Sequence, residues 1–196
     1  FSSKVSGSGV KVTENRDLKN FTKVEISGAL EVQLTGQSDF AVTVETDDNI
    51  APLITTEVVG DTLRVFPKDR FSVSPRPIIK VSMGDLSNLD ISGASVANVS
   101  NVKGNSLYLN ASGASKINIA GEVTELNAEA SGASKIQAEN LKAARVDANA
   151  SGASKTSVFA TEELTARASG ASKVKYSGTV TVVNKDVSGA SSISPE

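Results

Sequence analysis

The sequence contains no cysteine, no histidine and no tryptophan. Without cysteine there is no disulfide, no thiolate metal site and no cysteine nucleophile. Without histidine, every Ser-His-Asp triad, imidazole metal ligand and imidazole general base is excluded. Aromatic residues are scarce, with six Phe and two Tyr. Sugar-stacking platforms and aromatic cages draw on such rings, so both lose weight. An excess of one charge is missing too: 20 Lys and Arg face 22 Asp and Glu, a net charge of −2. That balance argues against a nucleic-acid partner or a basic membrane-surface module. No apolar run reaches the roughly 18 residues that a membrane-spanning helix needs. No cofactor and no metal site is expected from this composition.

What is present is a repeat. The tetrapeptide Ser-Gly-Ala-Ser begins at Ser92, Ser112, Ser131, Ser151, Ser169 and Ser188, at intervals of 20, 19, 20, 18 and 19 residues. Four copies continue into a lysine, at Lys116, Lys135, Lys155 and Lys173, and Ser27-Gly28-Ala29 is an earlier partial copy. Apolar residues alternate on both sides of each Ser-Gly, as in Leu107, Leu109 and Ala111 before it and Ile117 and Ile119 after it. A period of two marks half-buried strands and fits no helix. Each unit therefore reads as a strand, a sharp bend, a second strand and a looser return.

About 19 residues is too short for a propeller blade or a helix pair and suits one coil of a solenoid. The expected fold is all-β, a right-handed parallel β-helix, with handedness following the usual crossover preference. Neighbouring coils would then lie about 4.8 Å apart, each residue stacked on its equivalent. Gly28, Gly93, Gly113, Gly132, Gly152, Gly170 and Gly189 are the structural bend residues, since glycine adopts backbone angles that a Cβ disfavours. Lys185 falls in an inward column of the last coil, which marks that coil as distorted or as a cap.

Proline divides the chain. Pro52, Pro67, Pro75 and Pro77 crowd together, and none follows until Pro195. Proline removes a ladder donor, so uninterrupted pairing is expected over 86–194, within a regular repeat part that spans 86–196. Residues 18–85 read as an irregular, β-rich first part of the same solenoid, with a separate small β domain as the alternative. Residues 1–17 read as an N-terminal arm or cap. Asp47-Asp48-Asn49 reads as a turn rather than a cation site.

The segment from Phe21 to Leu34, centred on Ser27-Gly28-Ala29, resembles the opening motif of the putative auto-transporter adhesin head GIN domain family. Leu86 to Ser95 and the repeats after it are similar to the same family, so the resemblance spans roughly 8–192. It implies an exported bacterial β-helix protein, often from gut Bacteroidetes and sometimes lipid-anchored, and it carries no catalytic residues. The expected location is extracytoplasmic: periplasm, outer-membrane surface or secreted. No export signal is visible in the chain, which starts at Phe1, and a processed chain is expected.

Two outward rows are candidate binding residues. Lys116, Lys135, Lys155 and Lys173 form one; at 4.8 Å in water each neighbouring pair repels by about 0.9 kcal/mol before screening. The other holds Asn88, Asn127, Asp147 and Asn184, whose oxygens and amides could meet sugar hydroxyls. A solvated face is the plain structural reading of both. Glu122, Glu125, Glu139, Glu162 and Glu163 lie in the returns without a spacing that signals catalysis. The reading is a non-enzymatic adhesin of the cell surface or periplasm, binding glycan or a surface protein through repeated polar ladders, with self-association at the solenoid ends. The alternatives are a polysaccharide-processing β-helix lyase or hydrolase, and a purely structural envelope scaffold.

Overall fold

The computed structural model describes residues 3–196. Its regular structure is nearly all strand. The first part contains β1 (Val5–Ser6), β2 (Lys11–Arg16), β3 (Lys23–Ile26), β4 (Glu31–Thr35), β5 (Ala41–Asp47), β6 (Ile54–Val59), β7 (Thr62–Pro67), β8 (Phe71–Ser72) and β9 (Ile78–Ser82). The repeats contain β10 (Asn88–Ile91), β11 (Val96–Ala111), β12 (Lys116–Ala130), β13 (Lys135–Ala150), β14 (Lys155–Ala168), β15 (Lys173–Ser177), β16 (Val182–Val187) and β17 (Ser192–Pro195). One 3-10 turn, Ala51–Leu53, interrupts them.

The chain winds as a parallel β-solenoid. Strands that lead into the bend stack in the order β7, β3, β10, then the second halves of β11 to β14, then β16. Strands that leave the bend stack as β9, β4, the first halves of β11 to β14, β15 and β17. Space and sequence disagree at the start: the coil formed by β3 and β4 lies between the later coils 62–82 and 88–100.

The bend is the most regular feature. The amide of Ala94 donates to the carbonyl of Gly28 at 2.8 Å, and Ala114, Ala133, Ala153, Ala171 and Ala190 repeat that bond to the preceding Gly at the same 2.8 Å. These glycines have φ between +68° and +96°, the left-handed region where a Cβ costs energy. Space also excludes a side chain: a Cβ on Gly132 would lie 2.5 Å from the Gly113 carbonyl oxygen.

The last Ser of the motif is buried in five of its six copies, at Ser95, Ser115, Ser134, Ser154 and Ser172. These hydroxyls do not bond one another. They donate to main-chain carbonyls of the preceding coil, as from Ser154 to Ala130 at 3.1 Å and Ser172 to Ala150 at 2.9 Å. With every bend pinned in register, unequal coil lengths are absorbed at the opposite corner. Register shifts fall between Val99 and Val102, between Asn118 and Ala120, and between Ala138 and Lys142.

Inside, alternation produces continuous apolar files. Ile26, Ile91, Ala111, Ala130, Ala150 and Ala168 form one, all buried, and it narrows towards the repeats. A second runs through Val32, Ala97, Ile117, Ile136, Thr156, Val174 and Ile193. Thr156 is the odd member: it is 1% exposed and its Oγ1 has no hydrogen-bond partner. A buried hydroxyl without a partner costs about 1–3 kcal/mol. Thr156→Val keeps the shape and removes that cost. The melting temperature should rise by about 2–12 °C for a chain of this length, and an unchanged or lower melt would contradict the assignment.

The two ends differ. At the first, antiparallel strands flank the outermost coil: β6 on β7, β5 on β9, and β2 on β5. The Asp47-Asp48-Asn49 turn holds that flank together. The Asp47 carboxylate accepts from Lys11 Nζ at 2.7 Å and from the Gly9 amide at 2.9 Å, and these two bonds hold its pKa below the usual carboxylate value. At the other end β16 pairs with β14 alone among the described residues, and Val182, Val183 and Val187 are exposed. Lys185 sits in register with Ala166, in the inward file, with its Nζ 5.1 Å from the centre of the Tyr176 ring. An inward charge on an outer strand is a device that discourages further strand addition.

Candidate functional site

Outward residues form files as regular as the inward ones, on two faces that meet at the bend. On the face before the bend, Asn88, Tyr108, Asn127, Asp147, Thr165 and Asn184 align. Asp90, Asn110, Glu129, Asn149, Arg167 and Asp186 align beside them. The second file borders a groove of about 610 Å3 that runs along the bend past Ser131, Ser151, Ser169 and Ser188. A hollow of about 360 Å3 gathers Glu125, Asn127, Arg145, Asp147, Glu163 and Thr165.

This face is cross-braced by its own side chains. Arg145 pairs with Glu125 at 2.8 Å and Glu162 at 3.4 Å. The hydrogen bond and charge of Glu125 hold its guanidinium proton more firmly still. Arg167 lies 3.5 Å from Asp147, which also accepts from Asn149 at 3.3 Å. Asn184 donates to Glu163 at 3.5 Å. Burial, then the charge of Glu25, raises the Asp90 carboxyl.

The Tyr108 hydroxyl donates to the Glu129 carboxylate in the next coil. That bond, with burial and the charges of Glu129 and Asp90, raises the phenol to about 12, against an ordinary value of about 10. A raised phenol contributes stability that is complete below the unfolded value and is lost as pH climbs through the folded one. Only two tyrosines exist, so ultraviolet titration can follow this phenol. Glu129→Gln should bring the late-ionising signal down towards 10; a titration curve unchanged by the substitution would remove Glu129 as the cause.

The face after the bend is built differently. Lys116, Lys135, Lys155 and Lys173 are Cα partners in successive coils. The next outward file is Gln33, Asn98, Asn118, Gln137, Ser157 and Lys175. Asn118 donates to Asn98 at 2.9 Å. A hollow of about 480 Å3 on this face is lined by Gln33, Asn98, Asn118, Gln137, Glu139 and Asn140 among others. No ion pair reaches any of the four lysines among the described residues. Glu139 Oε2 is buried and has no hydrogen-bond partner.

The eight candidate residues therefore separate. Asn88, Asn127, Asp147 and Asn184 stand on the braced face, and the four lysines stand on the other. The glutamates separate too: Glu125 and Glu162 share Arg145, whereas Glu139 lies on the lysine face. The amide file escaped the sequence reading, although its signal was present two residues after each bend lysine, where the chain reads Asn118, Gln137, Ser157 and Lys175. No cluster of three or more Asp or Glu able to hold a metal ion occurs among the described residues.

A family model described as "Putative auto-transporter adhesin, head GIN domain" matches residues 20–180. The chain belongs to this family. Solved structures of similar fold include a putative adhesin from Bacteroides fragilis NCTC 9343, at 19% identity and a TM-score of 0.81 over 98% of this chain and all of that one. A putative adhesin from Parabacteroides merdae ATCC 43184 matches at 17% identity and a TM-score of 0.57 over the full length of both chains. A putative lipid binding protein from Parabacteroides distasonis ATCC 8503 matches at 17% identity and 0.58, over 99% of this chain and all of that one. No curated protein matches in sequence. What this chain shares with those structures is the fold.

Proposed function

We propose that the chain is a non-catalytic, extracytoplasmic adhesin that holds an extended glycan along the axis of its solenoid. One observation carries the reading: polar outward residues recur in register, coil after coil, on strands about 4.8 Å apart. A polymer lying along that axis meets equivalent groups at every coil. Weak contacts then add, because each contact after the first forms at high effective concentration. Membership of an adhesin family and the likeness to putative adhesins support the reading. Of the glutamates in the returns, Glu125 and Glu162 are engaged by Arg145.

A glycan array run beside a cleavage assay on neutral and acidic polysaccharides tests this. The expected result is retention of polymers, tighter with chain length, and no new reducing or unsaturated ends. Turnover abolished by Glu125→Gln would replace the adhesin by an enzyme. Retention of a surface protein with no glycan retained would replace the ligand class.

A further inference from the structure

The two outward faces differ in a way that selects a ligand. Before the bend, acids and bases alternate and close on one another, so the charge is spent internally. After the bend, four lysines stand in consecutive coils with no acidic partner among the described residues. Like charges directly opposite on neighbouring strands are destabilising. Lys175 extends the charge one file over, in register with Ser157. Three carboxylates share the face: Glu31 at the near end of the lysine file, Glu139 in the amide-lined hollow, and Glu45, which is paired with Lys80 at 3.7 Å.

Resting on the glycan reading above, we infer that this face takes an acidic polysaccharide of the polyuronate class. Lys116, Lys135, Lys155 and Lys173 meet successive carboxylates. The neighbouring amides of Asn98, Asn118 and Gln137 are both donors and acceptors, the requirement for sugar hydroxyls. The carboxylate of Glu139, which lines the same hollow, accepts a hydroxyl and repels a bare anion, which separates a sugar acid from a polyphosphate. The chain as a whole carries a net charge of −2, which keeps the attraction local to this strip. Exposed charge pairs are screened over about 8 Å at physiological salt, so binding weakens as salt rises.

The test uses oligogalacturonates of increasing length, their methyl-esterified counterparts and polyphosphate, titrated against the intact chain at two salt concentrations. The unesterified oligomers should bind, tighter up to about four sugars, and weaken with salt. Changing all four lysines to Gln should weaken them about tenfold or more, the combined effect of several exposed pairs, without lowering the melt. Asn118→Ala with Gln137→Ala, which keeps every charge, should weaken galacturonate and leave polyphosphate unchanged. Three results overturn the inference: esterified oligomers bound as well as acidic ones, polyphosphate bound as well as galacturonate, or affinity indifferent to the lysines. If neutral polymers are retained on the array while galacturonate is not, this inference fails and the adhesin reading stands. Retention of no glycan of either kind ends both this inference and the glycan part of the adhesin reading.

Discussion

Gly132→Ala is expected to destabilise the solenoid by about 3 kcal/mol. Two costs combine. At φ +68° any residue with a Cβ gives up about 1–2 kcal/mol. The added methyl also falls 2.5 Å from the Gly113 carbonyl oxygen, with the Gly113 nitrogen at 3.2 Å. Both neighbours are backbone, so relief requires moving a whole coil, and forced overpacking of this kind costs about 1–3 kcal/mol. The same carbonyl accepts the Ala133 amide at 2.8 Å, so the shift also weakens the bond that sets the register. Thermal denaturation followed by circular dichroism should show a fall of roughly 6–12 °C. Gly60→Ala is the control. Gly60 has φ +63°, and no atom lies within 4 Å of the point its methyl would occupy, so only the backbone cost applies, about 1–2 kcal/mol. Equal falls for the two variants would mean that the bend file tolerates crowding.

The second large effect concerns the buried serines. Removing the hydroxyls of Ser115, Ser134, Ser154 and Ser172 together, as Ala, should cost about 3 kcal/mol at roughly 0.5–1.5 kcal/mol each. The losses should not be equal. The single Ser172 proton is shared between the Ala150 carbonyl at 2.9 Å and the Ser169 carbonyl at 2.8 Å, and Ser154 donates at 3.1 Å to Ala130. Ser134 and Ser115 reach Gly113 and Gly93 only at 3.4 and 3.5 Å. Single variants should therefore rank Ser172 above Ser154, and both above the other two. Denaturant unfolding of the four single variants measures the ranking. A flat series would show that the hydroxyls serve only as small fillers of the corner.

Much of the repeat half could be read from the chain because its constraint is local. Only glycine fits the bend, and only small or aliphatic residues fit the inward files, so identity at a position reports its place. Ala114, Ala133, Ala153 and Ala171 line up accordingly. The opposite corner left no such mark. Length differences of one or two residues are taken up there, and the conformation is carried by unlike residues such as Asn101 at φ 57° and Gly121 at φ 146°. Coil order in the first half was equally hidden. Val24 and Ile26 of β3 alternate just as Leu63 and Val65 of β7 do, and alternation specifies a face without choosing a neighbour.

Of the candidate site, the lysine file was visible because each lysine follows a fixed motif. What the sequence could not disclose is which charged files pair internally. Arg145 meets Glu125 across 20 residues and Glu162 across 17, a match that depends on neighbouring files and on the corner shifts between coils. The contrast between a braced face and an unbraced one is therefore a property of stacking and has no signature in any single repeat.

The displaced position of β3 and β4 bears on how the chain reaches its shape as it is synthesised. The turn built from 23–35 emerges before both of its neighbours, 62–82 on one side and 88–100 on the other. Ser95 reaches back 67 residues to Gly28, whereas Ser134 reaches back 21 to Gly113. Closing the longer loop costs about 1 kcal/mol more in chain entropy. Winding is thus favoured from the repeats backward, and this early segment of the nascent chain is among the last to find its seat.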